Sequence, residues 1–266
     1  MILLTGTKRS GTSMWMQALE AAGIPVFGER FPRDWGDALR DANPRGFYES
    51  ILRRGIYWET NPHPRTGAYL FPEQVTGWAV KVFVPGVIRT DRAYIERVVA
   101  TMRPWREYVA SIQRLTAIEE EARDRTIARP VLAPELEWWH ENYVLIRDVL
   151  TRRYAFHFVV YDRILRDPEA TFRKVFEWIG KGDADAAAAV IEPSLRTQSA
   201  PTIETDLQDA TKETFDALYD HIARERPMDA PFVERLNETN EALLPRMQAY
   251  QREVAAWHRQ RSAGER

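Results

Sequence analysis

The stretch Met1–Gly23, MILLTGTKRSGTSMWMQALEAAG, limits the fold more than any other part of the chain. An apolar run, Ile2-Leu3-Leu4, leads into a turn, Gly6-Thr7-Lys8-Arg9-Ser10-Gly11. Apolar residues at helical spacing follow at Met14, Ala18, Leu19 and Ala22, and Gly23 ends them. A short apolar run bounded by glycine reads as a buried strand. A periodic run closed by glycine reads as a helix. Strand, glycine-flanked loop and helix together build an anion cradle. The helix N-terminus presents backbone N–H groups, and its dipole favours negative charge. Two glycines let the backbone close around a ligand.

The spacing is G-x-x-x-x-G-T-S. A nucleoside-triphosphate loop has lysine after the second glycine, and that lysine holds the β- and γ-phosphates. Thr12 stands there instead. Such a loop suits a ligand with a shorter 5′ anionic chain, with charge supplied from inside by Arg9 and Lys8. The alternative is a plain strand–helix turn carrying exposed basic side chains.

Composition narrows the class. With 266 residues, 44% hydrophobic and 29% charged, the chain suits one large domain, or one domain with a helical appendage. A net charge of −2 gives no bulk attraction for nucleic acid or an anionic membrane. The absence of cysteine excludes disulfides, thiolate metal sites and cysteine nucleophiles. No basic region leads an apolar segment at the start, and no apolar run nears the ~20 residues of a membrane span. The expectation is a cytoplasmic protein without a membrane span.

Further along, Ile24–Phe27 reads as a short strand, and Asn43–Glu49 as a turn running into a short helix or irregular segment. Residues 59–77 form a long irregular stretch, of the kind that serves as a lid or substrate wall. Its neighbouring aromatics, Tyr57, Trp58, Tyr69 and Phe71, are expected to pack locally. Trp78–Val84 reads as a second core strand ended by Pro85-Gly86, Arg97–Met102 as a third and Ala155–Tyr161 as a fourth. Thr90-Asp91-Arg92 reads as a helix start. Helices are expected over 104–123, burying Val109, Ile112, Leu115 and Ile118, over 134–153, and over 169–179 between Asp167-Pro168 and Gly180. Beyond Gly180 only helices are expected, at 183–190, 209–225 and 231–258, with the last ~10 residues frayed. Strands alternating with helices predict an α/β fold with a central, mainly parallel sheet flanked by helices. The expected organisation is one domain over 1–266, with a core at 1–180 and a helical C-terminal part at 181–260.

A second constellation lies at the end of the third strand. Ligands of open parallel sheets bind beyond the carboxyl ends of strands. Arg103 sits at such an end, and Ser111 follows eight residues later. The planar fork of arginine matches phosphate geometry. The alternative is an arginine capping a strand and a solvent-facing serine. His140 and His157 read as structural, and no histidine pair has metal spacing. The Trp138-Trp139 pair reads as helix packing.

Together these segments resemble the sulfotransferases that use 3′-phosphoadenosine 5′-phosphosulfate (PAPS). The family's 5′-phosphosulfate loop, P-[KR]-[ST]-G-[TS]-[TS], is matched by Lys8-Arg9-Ser10-Gly11-Thr12-Ser13. Its 3′-phosphate motif, a strand ending in arginine with serine eight residues on, is matched by Arg103 and Ser111. A third segment, Y-E-D-L then D-P, resembles Tyr161-Asp162-Arg163-Ile164 and Asp167-Pro168. The ordered matches span residues 2–180. The resemblance implies a P-loop NTPase-like fold, PAPS as donor and adenosine 3′,5′-bisphosphate (PAP) as product. It places Arg9 as the catalytic basic residue. The acceptor would be a small molecule or biopolymer, with no metal and no nucleic acid involved.

Departures from the family also matter. Cytosolic members carry K-T-H-x-P, whereas Lys81-Val82-Phe83-Val84-Pro85 has Phe83 at the histidine position. Their C-terminal Arg-Lys-Gly is absent, with Arg196 as the best substitute. Bacterial and tyrosylprotein-type members are more similar. The latter use a glutamate base in Gly-Glu-Glu, and Gly28-Glu29 falls at a similar offset from Arg9. Glu29 is then a candidate base, or a loop carboxylate paired with Arg30 or Arg33. Glu49 is the second candidate. Two other readings stay open: a P-loop kinase that has moved its phosphate-binding lysine, and a non-catalytic nucleotide-binding module.

Overall fold

In a computed structural model of the chain, residues 1–31, 45–121, 130–195 and 201–264 are described. The chain divides into two compact units. One comprises Met1–Arg103 with Val144–Ser199, the other Pro104–Tyr143 with Ala200–Arg266.

The first unit is an α/β layer structure. Its sheet holds β1 (Ile2–Thr5), β2 (Val26–Phe27), β3 (Ala79–Lys81), β4 (Arg97–Met102) and β5 (Phe156–Val160). The order is β2-β3-β1-β4-β5, and every pairing is parallel. Both faces of β1 are covered, which is why its sequence is continuously apolar rather than alternating. Ile2 and Leu4 join one buried cluster with Trp15, Met16, Leu19, Phe172 and Phe176. Leu3 points to the other face, among Val80, Val87, Val98 and Leu145. Helix α1 (Thr12–Ala21) fully buries Trp15, Met16, Ala18 and Leu19. Burial of large apolar side chains such as these contributes about 1.5–3 kcal/mol each.

From β1 the chain crosses to β2 at one side and returns to β3. It then places β4 on the opposite side of β1. The connections after β1 and β4 thus diverge, and the switch point lies between their carboxyl ends. That crevice is where ligands of such sheets bind.

Several expected boundaries shift. The predicted strand Trp78–Val84 pairs only over Ala79–Lys81, and Val84 already begins helix α2 (Val84–Arg89). Pro85, read as a strand stop, lies in the first turn of that helix, where its fixed φ is preorganised. Asp91 caps only a single 3₁₀ turn, Arg92–Tyr94, before β4. Tyr161 opens helix α5 (Tyr161–Arg166) rather than closing β5. Helix α6 (Pro168–Ile179) starts at an Asp167 cap and ends at Gly180, as expected. Helix α7 (Ala184–Ala189) follows in the same unit.

The segment 59–77 is anchored away from the crevice. The Asn61 amide donates to Leu70 O (2.9 Å) and to the Tyr94 hydroxyl (2.7 Å), and Leu70 N donates back to it (2.8 Å). Met1 N donates to Tyr94 O (2.8 Å), and Ile2 N to Trp78 O (2.8 Å). These ties lie at the amino edge of the sheet, opposite the cradle, so the lid or wall expectation finds no support in them. Its aromatics make local ring contacts, Tyr57 with Trp58 (6.3 Å between centroids) and Tyr69 with Phe71 (4.8 Å), while Trp58 stays 80% exposed and Tyr69 and Phe71 about half exposed.

The second unit is helical, with α3 (Trp105–Glu121), the start of α4 (Pro134–Arg152), α8 (Asp209–Ala223) and α9 (Ala230–Gly264). Trp105, Trp138 and Trp139 are buried around Phe215, which accounts for the tryptophan pair as packing. In α3, Val109 and Ile112 are buried and Leu115 half-buried, while the Ile118 side chain lies outside the described residues. Helix α9 continues to Gly264 through the stretch expected to fray. Among the described residues, no helix is long and apolar enough to cross a membrane.

Candidate functional site

The cradle forms where β1 ends. Gly6 has φ 145°, and a Cβ there would lie 2.3 Å from Thr101 O, so only glycine fits. The Ser10 hydroxyl donates to Thr7 O (2.6 Å), and Ser10 N donates to the same oxygen (3.2 Å). The loop is fastened to β4 by the Thr101 hydroxyl, which donates to Ser10 O (2.9 Å). Gly11, at φ 97°, is the residue before α1, and a Cβ on it would strike the Tyr161 ring at 2.9 Å. No side chain caps α1, and its first turn holds no acidic residue. The first N–H groups of a helix have no intrahelical acceptor. An anion at this point would supply one.

Two features of the loop cost stability. Arg9 takes a left-handed backbone, φ 63°, which costs a non-glycine residue roughly 1–2 kcal/mol. The Thr5 and Thr7 hydroxyls are fully buried and have no hydrogen-bond partner. An unsatisfied buried group costs about 1–3 kcal/mol. Strain and unsatisfied polar groups of this kind gather at functional sites. Lys8 is exposed, Ser10 buried, and Arg9, Gly11, Thr12 and Ser13 are half-buried.

Arg103 joins this loop. It is buried, its Nη1 donates to Arg9 O (3.3 Å), and its guanidinium lies 4.8 Å from the centroid of the Tyr161 ring. Residues 9–11 and Arg103 are therefore brought together at the switch point. Ser111 lies in α3, in the second unit, and is buried. Arg196 lies outside the described residues, as does Arg33.

The two base candidates stand opposite each other. Glu29 N donates to Glu49 O (2.9 Å) and Glu49 N to Glu29 O (3.1 Å), an isolated antiparallel bridge. Glu29 is exposed, and Arg30 pairs with Glu20 (2.6 Å). Glu49 is buried and ion-paired with Lys81 (2.5 Å), which also donates to Phe47 O (2.5 Å) and to the Ser13 hydroxyl (3.4 Å). Burial pushes Lys81 below the usual lysine value; Glu49 opposes this, and the cations Arg53 and Arg9 add to it. The second oxygen of Glu49 accepts no hydrogen bond, since Arg53 Nη1 stands 3.7 Å away.

Sequence reasoning did not mark Lys81, Thr101 or Tyr161 as site residues. One signal was available: Lys81 is a lone cation closing an apolar strand, a position that in a parallel sheet faces the ligand edge. His157 packs against Trp178 (5.4 Å), and burial lowers the His140 pKa, in keeping with structural roles. Among the described residues no acidic or histidine cluster could hold a metal ion. No protein-family model matches the chain, and no curated protein matches it either.

Proposed function

We propose that the chain is a sulfotransferase, moving a sulfuryl group from PAPS to a hydroxyl or amine of an acceptor and releasing PAP. The observation that carries this reading is the bond from Arg103 to the carbonyl of Arg9. It sets a strand-end guanidinium beside a cradle that lacks the triphosphate lysine. A nucleotide charged at both its 5′ and 3′ positions fits two such anion-binding groups. The glycines at 6 and 11, the uncapped α1 and the unsatisfied Thr7 hydroxyl suit a 5′ anion.

In this reading residues 8–13 wrap the 5′-phosphosulfate, and Arg103 takes the 3′-phosphate. The donor supplies an activated sulfuryl group. Its bond from sulfur to the bridging oxygen breaks as the acceptor oxygen or nitrogen bonds to sulfur. Arg9 balances the charge that develops on the departing oxygen. The proton leaving the acceptor passes to Glu29, whose exposure lets an acceptor approach from solvent. Catalysis then rests on positioning and electrostatics.

One observation favours a second reading, the kinase with a displaced lysine. Lys81 stands 3.4 Å from the Ser13 hydroxyl, next to the position where Thr12 replaces the triphosphate lysine. Its engagement by Glu49 speaks for the first reading. The direct test is to incubate the protein with PAP³⁵S and a panel of phenols, sugars and lipid-like alcohols. Label transferred to any of them is the expected result. Phosphate transfer from ATP, with no sulfuryl transfer, would favour the kinase.

A further inference from the structure

The ring of Tyr161 touches both halves of the proposed site. Val160 pairs with Met102 in the β5–β4 ladder, so Tyr161 and Arg103 are the next residues of adjacent strands at the carboxyl edge. There the chain turns into α5, and the Tyr161 ring is buried under the Arg103 guanidinium, 4.8 Å from its centroid. The same ring lies against Gly11: a Cβ at Gly11 would fall 2.9 and 3.0 Å from two of its carbons. Gly11 thus meets two demands, a left-handed backbone and room for this ring. The guanidinium also donates to Arg9 O. Loop carbonyl and aromatic face together fix the arginine relative to the start of α1.

We infer that Tyr161 is a positioning residue, locking Arg103 to the cradle so that both anionic ends of one nucleotide are bound in fixed register. The inference rests on the proposed reading in which Arg103 takes the 3′-phosphate. A guanidinium over an aromatic face is held by the ring's quadrupole. Phenylalanine would keep that face, and leucine or methionine would fill the space without it.

The test compares Tyr161→Phe, Tyr161→Leu and Tyr161→Met, alone and with Arg103→Ala, by titration with PAP and with 5′-AMP. Tyr161→Phe is expected to bind PAP within about twofold of wild type. Tyr161→Leu and Tyr161→Met should weaken PAP by about 3- to 30-fold, and that loss should largely disappear in the Arg103→Ala background. Losses that multiply independently of Arg103, or unchanged PAP binding in Tyr161→Leu, would overturn the positioning role alone. Wild-type protein that fails to bind PAP would instead overturn the functional reading and the ligand with it. A measurement on wild type needs no variant to fold: the Arg103 side-chain protons should be shifted upfield by the ring, and unshifted resonances would contradict the contact.

Discussion

The two edges of the same parallel sheet use their polar residues in opposite ways. At the amino edge, Asn61 satisfies both ends of its amide against Leu70 and Tyr94. Among the described residues an exception there is Arg97 Nε, whose guanidinium lies over Trp178 instead. At the carboxyl edge, Thr5, Thr7 and one oxygen of Glu49 are buried without a hydrogen bond, and Arg9 is held left-handed. Buried polar groups are nearly always satisfied, so a concentration of exceptions marks an edge arranged for something other than stability. The amino edge holds the chain together, and under the proposed reading the carboxyl edge leaves its buried hydroxyls and the uncapped start of α1 for an anion.

Five single substitutions probe that contrast. The largest effects belong to the chemistry. Arg9→Ala should lower turnover by about 10²–10³. Glu29→Gln should lower it by about 10²–10⁴ while leaving PAP affinity nearly unchanged. A Glu29→Gln protein with full turnover would pass the proton to Glu49 or to the acceptor's own acidity.

Next is Glu49→Gln, which leaves the Lys81 ammonium buried without its carboxylate. Breaking one side of a buried pair costs about 3–5 kcal/mol, which urea denaturation would read as a lowered midpoint. Adding Lys81→Met should restore much of that loss. If Glu49→Gln is as stable as wild type, the pair is not a buried ion pair in solution.

Arg103→Ala should weaken PAP by roughly 1.5–3 kcal/mol, the range for hydrogen bonds to charged groups, and barely change 5′-AMP binding. Equal losses for both ligands would mean that Arg103 supports the loop rather than a 3′-phosphate. Asn61→Ala, at the other edge, should cost about 1–3 kcal/mol of stability and leave PAP affinity unaltered. A parallel loss of affinity would show that the two edges are not independent.

Much of this contrast could be read locally. The strand at Ile2, the loop glycines, the helix after Gly11 and the Asp167 and Gly180 caps each depend on neighbours within a few residues, and each appears where expected. What escaped depends on pairs distant in sequence. Lys81 meets Glu49 because β2 lies beside β3 and Glu49 bridges Glu29 just past β2, an order that no local pattern specifies. Tyr161 reaches Gly11 only because β5 flanks β4. The place of segment 59–77 was out of reach for the same reason: composition says that it is irregular, but not which edge of the sheet it reaches. The shortened β3 has another cause, since Val82-Phe83-Val84-Pro85 is an apolar run that suits a strand end and a helix start equally.

The carboxyl edge is proposed to bind a nucleotide charged at both its 3′ and 5′ positions. Thermal unfolding with PAP, compared with ATP and magnesium at equal concentration, tests it most directly. A ligand at 100 times its Kd stabilises the fold by roughly 2.7 kcal/mol. A clear rise in Tm is expected with PAP and a much smaller one with ATP. Equal or greater stabilisation by ATP would contradict this proposal.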